Sequence, residues 1–433
     1  MTVELISVGT EILLGNIVNT NANYLSIKCA ELGLSLYYQV AVGDNAGRLS
    51  DTIKTALSRS DIVILTGGLG PTQDDLTKET VAAAIGRKLC MDEHSKIRIL
   101  DYFNQIHSTV GDNVIMGDSL GLTKITENNW KQAMMIEGCT VIDNDNGTAP
   151  GYIVEDEGKI IILLPGPPVE LVPMFNQSIY PYLKKLQDKV FLSKMVKICG
   201  IGESRAETKI LDLIDGQGNP TIAPYAKSAE VHFRVTASAE TEEDAKKLVQ
   251  PLLDELKKRF QDNIYTMDEE ETLESVVVKM LRKHRLTLAV AESCTGGMLA
   301  SSIVNVPGAS DVLQEGFITY SNRSKCRYLG VNCETLEEFG AVSEQTAKEM
   351  ADGAADTSGC KVSVAVTGIA GPGGGTKEKP VGLVYIACHV GDKTTVKELR
   401  LRGNREKIRE QSVVHALDLV RRCIMQLLDV TRY

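Results

Sequence analysis

The sequence has no run approaching the roughly 18 apolar residues of a membrane-spanning helix, and no basic segment precedes its first apolar stretch, Val3–Val8. Neither a helical membrane span nor an export signal is expected, so the protein is expected to be cytoplasmic with no membrane partner. A cationic excess is also missing, because 47 Lys and Arg stand against 57 Asp and Glu, a formal net charge of −10. Polyanions are held by Lys and Arg clustered densely enough to displace counterions, so nucleic acid is not an expected partner. The ten cysteines include no C-x-x-C pair and no dense framework, and they read as reduced thiols that mostly fill cores. Histidine is scarce, six in 433 residues, and none falls in the glycine-rich motifs described below.

What is present is ordinary globular composition, 43% hydrophobic and 24% charged, in a chain too long for one core. At roughly 150 residues per domain the prior is about three domains. Short apolar runs alternate with helical patterns at both ends of the chain, which predicts α/β architecture with mostly parallel sheets. Val3–Val8, Leu36–Val42, Asp61–Thr66 and Ile160–Leu164 are strand candidates, and the last two are continuous apolar runs suited to a sheet covered on both faces. Leu286–Ala291, Lys361–Thr367 and Val381–His389 repeat the pattern near the C-terminus. Between them, about Val190 to Tyr265 reads as a small α+β unit with an amphipathic stretch at Thr241–Phe260. It contains no G-x-x-G, so a nucleic-acid-clamping loop of the KH type has no support in the residues themselves. The expected boundaries are 1–175, 176–266 and 267–433.

Two segments carry chemistry. In the C-terminal third, a buried strand runs into Glu292-Ser293-Cys294-Thr295-Gly296-Gly297 and then a helix. Ser293 at such a turn lies beside the first backbone N–H groups of the helix, from about Cys294 to Gly296, which suit a developing oxyanion. The same serine could equally be a helix cap. A thiol at a helix N-terminus can also be activated, so Cys294 competes for the nucleophile's role. Phe317–Lys325 reads as a strand running into a turn, placing Tyr320 and Lys325 where a strand edge opens into a loop. Thr367 and Gly368 begin the run TGIAGPGGGT, a loop at the end of a strand whose N–H groups suit a phosphate. Arg405 and Arg409, before the last helix, could add charge to that phosphate or simply be solvated.

In the N-terminal third, strand tips are followed by Gly9-Thr10-Glu11, by Asn16, Asn19 and Asn21, by Asp44, and by TGGLGPTQDD with Gly67, Gly68, Asp74 and Asp75. Carboxylates beside a glycine loop suit a phosphate held by backbone N–H groups and a divalent cation. Acids in a first helical turn are also what the helix dipole favours.

AESCTGG, the FITYSN run with its following lysine, TGIAGP and the late GNRE segment resemble the C-terminal domain of the CinA family, which is similar to nicotinamide mononucleotide deamidase. SVGTEIL, NTN, GDN, TGGLGPT, GTAPG and LPGPP resemble its N-terminal domain, which is similar to the molybdopterin-binding fold. The resemblance spans nearly the whole chain. It implies Ser293 as nucleophile, Lys325 as its assistant and Thr367 completing a site that needs no cofactor. Ser310 and Tyr320 match positions that contact the site, and Arg405 matches the substrate-binding arginine. Cys294, Thr295, Gly296 and Gly368 are expected to line the substrate. For the N-terminal domain the resemblance implies metal-dependent hydrolysis of ADP-ribose to AMP and ribose 5-phosphate, with Gly67, Gly68, Glu11 and Asn19 on the substrate. From their positions, Asp44, Asp74 and Asp75 are the candidate metal ligands. The middle segment corresponds to a KH-like connecting domain, and a homodimer is expected. Two alternatives stay open: molybdopterin-type nucleotidyl transfer in the N-terminal domain, or a non-catalytic competence or damage-response adaptor.

Overall fold

The computed structural model describes residues 1–109 and 127–428. It divides into two compact units, Met1–Phe191 and Leu192–Tyr433. The first contains β1 (Thr2–Val8), β2 (Ser35–Val42), β3 (Ile62–Thr66), β4 (Leu89–Met91), β5 (Met134–Ile136), β6 (Thr140–Ile142), β7 (Gly151–Asp156) and β8 (Lys159–Leu164). Its main sheet has the order β2-β1-β3-β8-β7-β6, and β4 pairs with β5 apart from it. β2, β1, β3 and β8 are parallel, whereas β7 and β6 are antiparallel additions at one side.

Side chains alternate across a strand, so a run that is apolar at every position needs cover on both faces. Ile62, Ile64, Ile160 and Ile162 join one buried cluster, with Leu25 and Phe175. Val63, Leu65, Ile161 and Leu163 join another, with Leu49, Ile53 and Val81. The boundary expected at residue 175 needs correction. A helical run continues from Pro168 through a π turn at Phe175–Ile179 to Lys185, and Phe175, Ile179 and Leu183 are buried in the first unit's core.

The second unit begins with a four-stranded sheet of β9 (Val190–Cys199), β10 (Thr221–Lys227), β11 (Glu230–Ala239) and β12 (Ile264–Thr266), ordered β10-β11-β9-β12. The helix Glu242–Phe260 covers it through Val249, Leu256 and Phe260. This module is docked within the unit by buried Arg421 from the last helix, which donates to the Asp262 carbonyl at 2.6 Å and pairs with Asp418.

The five-stranded sheet that follows contains β13 (Leu288–Glu292), β14 (Leu313–Ile318), β15 (Val362–Gly368), β16 (Leu383–Val390) and β17 (Lys393–Arg400), ordered β14-β13-β15-β16-β17. β13 runs parallel to both β14 and β15, and β16 and β17 are antiparallel. One face is lined by Ala289, Ala291, Ala365 and Ala387, and the helix Glu344–Ser358 meets it with Ala347, Ala351 and Ala354. The other face carries Val290, Val364 and Ile386 against the helices Leu273–Lys283 and Arg405–Leu428. Both α/β sheets are therefore mixed, with parallel strands around the chemically distinctive tips. Among the described residues no helix is long and apolar enough to cross a membrane.

Candidate active sites

β13 has parallel neighbours on both sides, so three strands end at one edge, where α/β sheets bind ligands. The register pairs Glu292 with Ile318 on β14 and with Val366 on β15. The chain then continues the ladder by one step: Ser293 N donates to Val366 O, and Thr319 N donates to Glu292 O, each at 2.9 Å. Ser293 and Thr319 thus directly follow the ends of β13 and β14, beside Thr367 near the end of β15.

Ser293 is not the helix cap. Glu292, fully buried, turns its carboxylate back to accept from the N–H groups of Gly297, Leu299 and Ala300 at 2.9, 3.1 and 2.9 Å. The carboxylate satisfies orphan donors at the helix start and complements its dipole, leaving the Ser293 hydroxyl for other work. Gly296 and Gly297 make the turn at φ values of 57° and 96°, in the left-handed region. The expected oxyanion amides narrow accordingly, since Gly296 N–H is taken by Ser293 O at 3.2 Å. The amides of Cys294 and Thr295 remain without a carbonyl or carboxylate acceptor among the described residues.

Lys325 is carried by a helix rather than by the expected loop at a strand edge. It lies on the helix Asn322–Leu329, capped by Ser321, and its side chain is fully buried. Its Nζ donates to Thr319 O at 2.7 Å and stands 3.1 Å from Ser293 Oγ. Removal from water disfavours the ammonium and brings its pKa down to about 8. A neutral amine with one N–H directed at a carbonyl can offer its lone pair to the serine proton.

Cys294 is packed in the main core cluster, and burial pushes its thiol up to about 11. Both observations speak against the thiol as nucleophile, whereas the Cys294 backbone amide stays at the serine turn. Thr295 is fully buried as well, and its Oγ1 and that of Thr319 have no hydrogen-bond partner among the described residues. Thr367 is buried and donates its hydroxyl to Ala341 O at 2.6 Å. Gly368 follows it, where a Cβ would fall 2.5 Å from Val384 Cγ2. Arg405 donates to Gly371 O at 2.7 Å and to Tyr320 Oη at 3.4 Å, joining the glycine-rich loop to the exposed tyrosine. Arg409 instead grips the serine turn, donating to Cys294 O at 3.1 Å and Thr295 O at 2.7 Å. Ser310 is not brought to the cluster. It precedes β14, which starts beside Leu288, so it lies at the opposite sheet edge, roughly 16 Å along the strand at about 3.3 Å per residue.

In the first unit, the tips of the strands surround a cavity of about 650 Å³. Glu11, Asn19, Asp44, Gly67, Gly68, Asp74 and Asp75 all line it, as do Asn21, Gln132 and Glu170. Gly67 and Gly68 have φ values of 92° and 68°, and a Cβ on Gly67 would sit 2.3 Å from Val8 O. Asn19 is committed to structure: it caps the helix Thr20–Glu31 by accepting from Ala22 N and donates to Ser7 Oγ at 2.9 Å. Asn21 donates to Gly166 O at 2.6 Å, and its buried Oδ1 has no hydrogen-bond partner among the described residues, nor has Gln132 Oε1. Neither residue's position in sequence signals this, although Asn21 belongs to the NTN motif.

The donor set around this cavity is all oxygen, which fits a hard divalent cation. Among the described residues, however, no group of three or more His, Cys, Asp or Glu side chains is placed to hold an ion. Asp44 Oδ2 accepts from Thr10 N and Oγ1 at 2.9 and 2.8 Å, and Asp75 Oδ2 accepts from Thr72 N at 2.9 Å. These residues fit the mode in which a cation takes one or two carboxylates and completes its shell with water and ligand phosphates.

Three family matches cover most of the chain. Residues 4–185 match the family described as "Probable molybdopterin binding domain", residues 193–266 the "Damage-inducible protein CinA KH domain", and residues 270–424 the "CinA C-terminal domain". A CinA-like protein of Kosmotoga olearia is 51% identical over 427 residues, covering 99% of this chain and all of that protein. A CinA-like protein of Dictyoglomus turgidum is 49% identical over the same length and coverage. The crystal structure of competence/damage inducible protein CihA from Agrobacterium tumefaciens is 41% identical over 36% of this chain and 98% of that one, with a TM-score of 0.34. With relatives of this identity matched end to end, the chain belongs to the CinA family.

Proposed function

We propose that the second unit is an amidohydrolase that converts nicotinamide mononucleotide to nicotinate mononucleotide and ammonia, with Ser293 as nucleophile and Lys325 as its base. The observation that carries this reading is the 3.1 Å approach of buried Lys325 Nζ to Ser293 Oγ. Neutral Lys325 takes the serine proton as Oγ attacks the amide carbonyl carbon. The oxyanion develops toward the Cys294 and Thr295 amides. Lys325 returns the proton to the amide nitrogen, which leaves as ammonia on collapse. Water, deprotonated by Lys325, then attacks the acyl-serine, releasing the carboxylate as the proton passes back to Ser293 Oγ. Arg405, Tyr320 and the loop after Gly368 hold the nucleotide phosphate, and Thr367 and Arg409 keep the loop and turn in register. An adaptor without turnover has no use for a buried amine directed at a hydroxyl.

In the first unit we propose hydrolysis of the ADP-ribose pyrophosphate to AMP and ribose 5-phosphate in the cavity bounded by Gly67, Gly68 and Glu11. One or two of Asp44, Asp74 and Asp75 would hold a divalent cation, which when bound would supply charge neutralisation at the phosphates. Gly67 and Gly68 bring backbone close to a phosphate. The molybdopterin-binding match favours nucleotidyl transfer as a second reading for this unit.

The test is ammonia release from nicotinamide mononucleotide by wild-type, Ser293→Ala and Cys294→Ala proteins, with AMP release from ADP-ribose followed in the same samples with and without EDTA. Loss of ammonia release in Ser293→Ala alone supports the serine mechanism. Loss in Cys294→Ala with full activity in Ser293→Ala overturns it. Molybdopterin binding without AMP release favours the second reading.

A further inference from the structure

The helix that presents Lys325 carries another reactive group on its next residue. Cys326 is half-buried on Asn322–Leu329, and Cys333, exposed, opens the helix Cys333–Glu338. Their Sγ atoms are 2.8 Å apart, short of the about 2.05 Å of a disulfide but already within touching distance. The backbone holds them there. Gly330, at φ 62°, turns the chain, Val331 N donates to Lys325 O at 3.3 Å, and Asn332 Oδ1 caps the second helix by accepting from Glu334 N at 3.1 Å. Both thiols line a surface cavity of about 550 Å³ that also holds Arg323 and Arg327. Glu337 lines the same cavity, and the hydrogen bond from Cys333 holds the Cys326 thiol above its ordinary range. The other eight cysteines are buried or half-buried, so Cys333 is the one exposed thiol in the chain.

We propose that Cys326 and Cys333 form a thiol–disulfide exchange site, which closes to an intramolecular disulfide with a low-molecular-weight disulfide as oxidant. The Cys333 thiolate attacks one sulfur of the oxidant and expels one thiolate. The Cys326 thiolate then attacks the Cys333 sulfur of the mixed disulfide, forming the internal bond and expelling the second thiolate. Two protein thiols are oxidised, the oxidant disulfide is reduced to two thiols, and each leaving thiolate takes up one of the protons released. In a reducing compartment the pair stays open, and it closes on oxidative exposure. Closure ties the helix bearing Lys325 to its successor.

The experiment uses reduced, full-length protein exposed to excess oxidised glutathione, quenched with acid, alkylated and analysed by intact mass and tryptic mapping. Trypsin cuts after Lys325 and Arg327, so the two cysteines fall in separate peptides unless they are bonded. The expected result is a mass loss of two hydrogen atoms with these two peptides joined, reversed by dithiothreitol. Cys333→Ser, with an unchanged melting temperature as proof of folding, should give no linked peptide. Persistent glutathione adducts on Cys326 or Cys333 in the wild type, or both thiols still alkylatable after treatment, would overturn the proposal.

Discussion

Lys325 Nζ lies between two oxygens, 3.1 Å from the Ser293 hydroxyl and 2.7 Å from the Thr319 carbonyl, with no exposure to solvent. The carbonyl fixes the amine's direction, and burial lowers its pKa to about 8. If Lys325 is the base, its neutral form is the active one. The kcat/KM for ammonia release should therefore rise about tenfold per pH unit below pH 8 and level off above it. Lys325→Arg keeps a charge that cannot be shed, so it should lose roughly 10²- to 10⁴-fold in rate and show no such inflection. Rate profiles on both proteins check this, and an inflection retained in Lys325→Arg sinks the assignment.

The same burial has a consequence for stability. Lys325 moves from an ordinary pKa of 10.5 to about 8 on folding, and buried Lys78 in the first unit does likewise. Between these values the unfolded chain binds more protons than the folded one, so stability rises as pH rises from about 8 to about 10.5. Each lysine contributes on the order of 3 kcal/mol across that window, at about 1.4 kcal/mol per pKa unit. Denaturant midpoints measured from pH 7 to 10 should climb in wild type and climb less in Lys325→Met and in Lys78→Met. Equal slopes in all three proteins would remove burial of the amines as the cause.

Much of this architecture is legible before any coordinates. β3 and β8 read as doubly covered strands because Ile62–Leu65 and Ile160–Leu164 are apolar at every position, and Ser293 falls at a strand-to-helix turn because an apolar run precedes it and Gly296 and Gly297 follow. With no histidine in the motifs, a desolvated lysine is the base the sequence offers, but the helix Asn322–Leu329 that buries its amine is not legible, because that segment looks like a polar turn. Glu292 was missed for a related reason: an acid at a strand end reads as solvated until three amides are seen around it. The first boundary falls early because nothing in the sequence marks the π turn at Phe175–Ile179, which carries the helical run from Pro168 to Lys185. Ser310 rests on the resemblance alone, and it precedes β14 whereas Tyr320 follows it, so the length of the strand separates the two.

Glu292 should prove structural and indirectly catalytic. Its carboxylate accepts three backbone N–H bonds in a buried setting, and removing a buried charged acceptor leaves those donors orphaned. Glu292→Ala should cost about 3 kcal/mol in urea unfolding. Glu292→Gln presents an NH₂ group toward amide donors and should recover only part of that loss. Ammonia release should fall in kcat more than it changes in KM, because the serine turn loses its anchor. A neutral effect of Glu292→Ala on stability would show that the turn is held by Arg409 alone.

Gly68 provides a way to disable the first unit's site alone. Its φ of 68° strains any other residue, and a Cβ there would sit 2.2 Å from Thr77 Oγ1. That hydroxyl is already committed, donating to the Gly67 carbonyl at 2.8 Å in a buried position. Gly68→Ala must therefore displace Thr77 or the loop, breaking the bond that shapes the proposed phosphate contact. AMP release from ADP-ribose should drop by roughly 10²-fold, the scale of a displacement of about 1 Å at a reacting group. Ammonia release from nicotinamide mononucleotide should stay at the wild-type rate, because Ser293, Lys325 and their partners all belong to the second unit. Undiminished AMP release in a folded Gly68→Ala protein would place ADP-ribose hydrolysis somewhere other than this glycine loop.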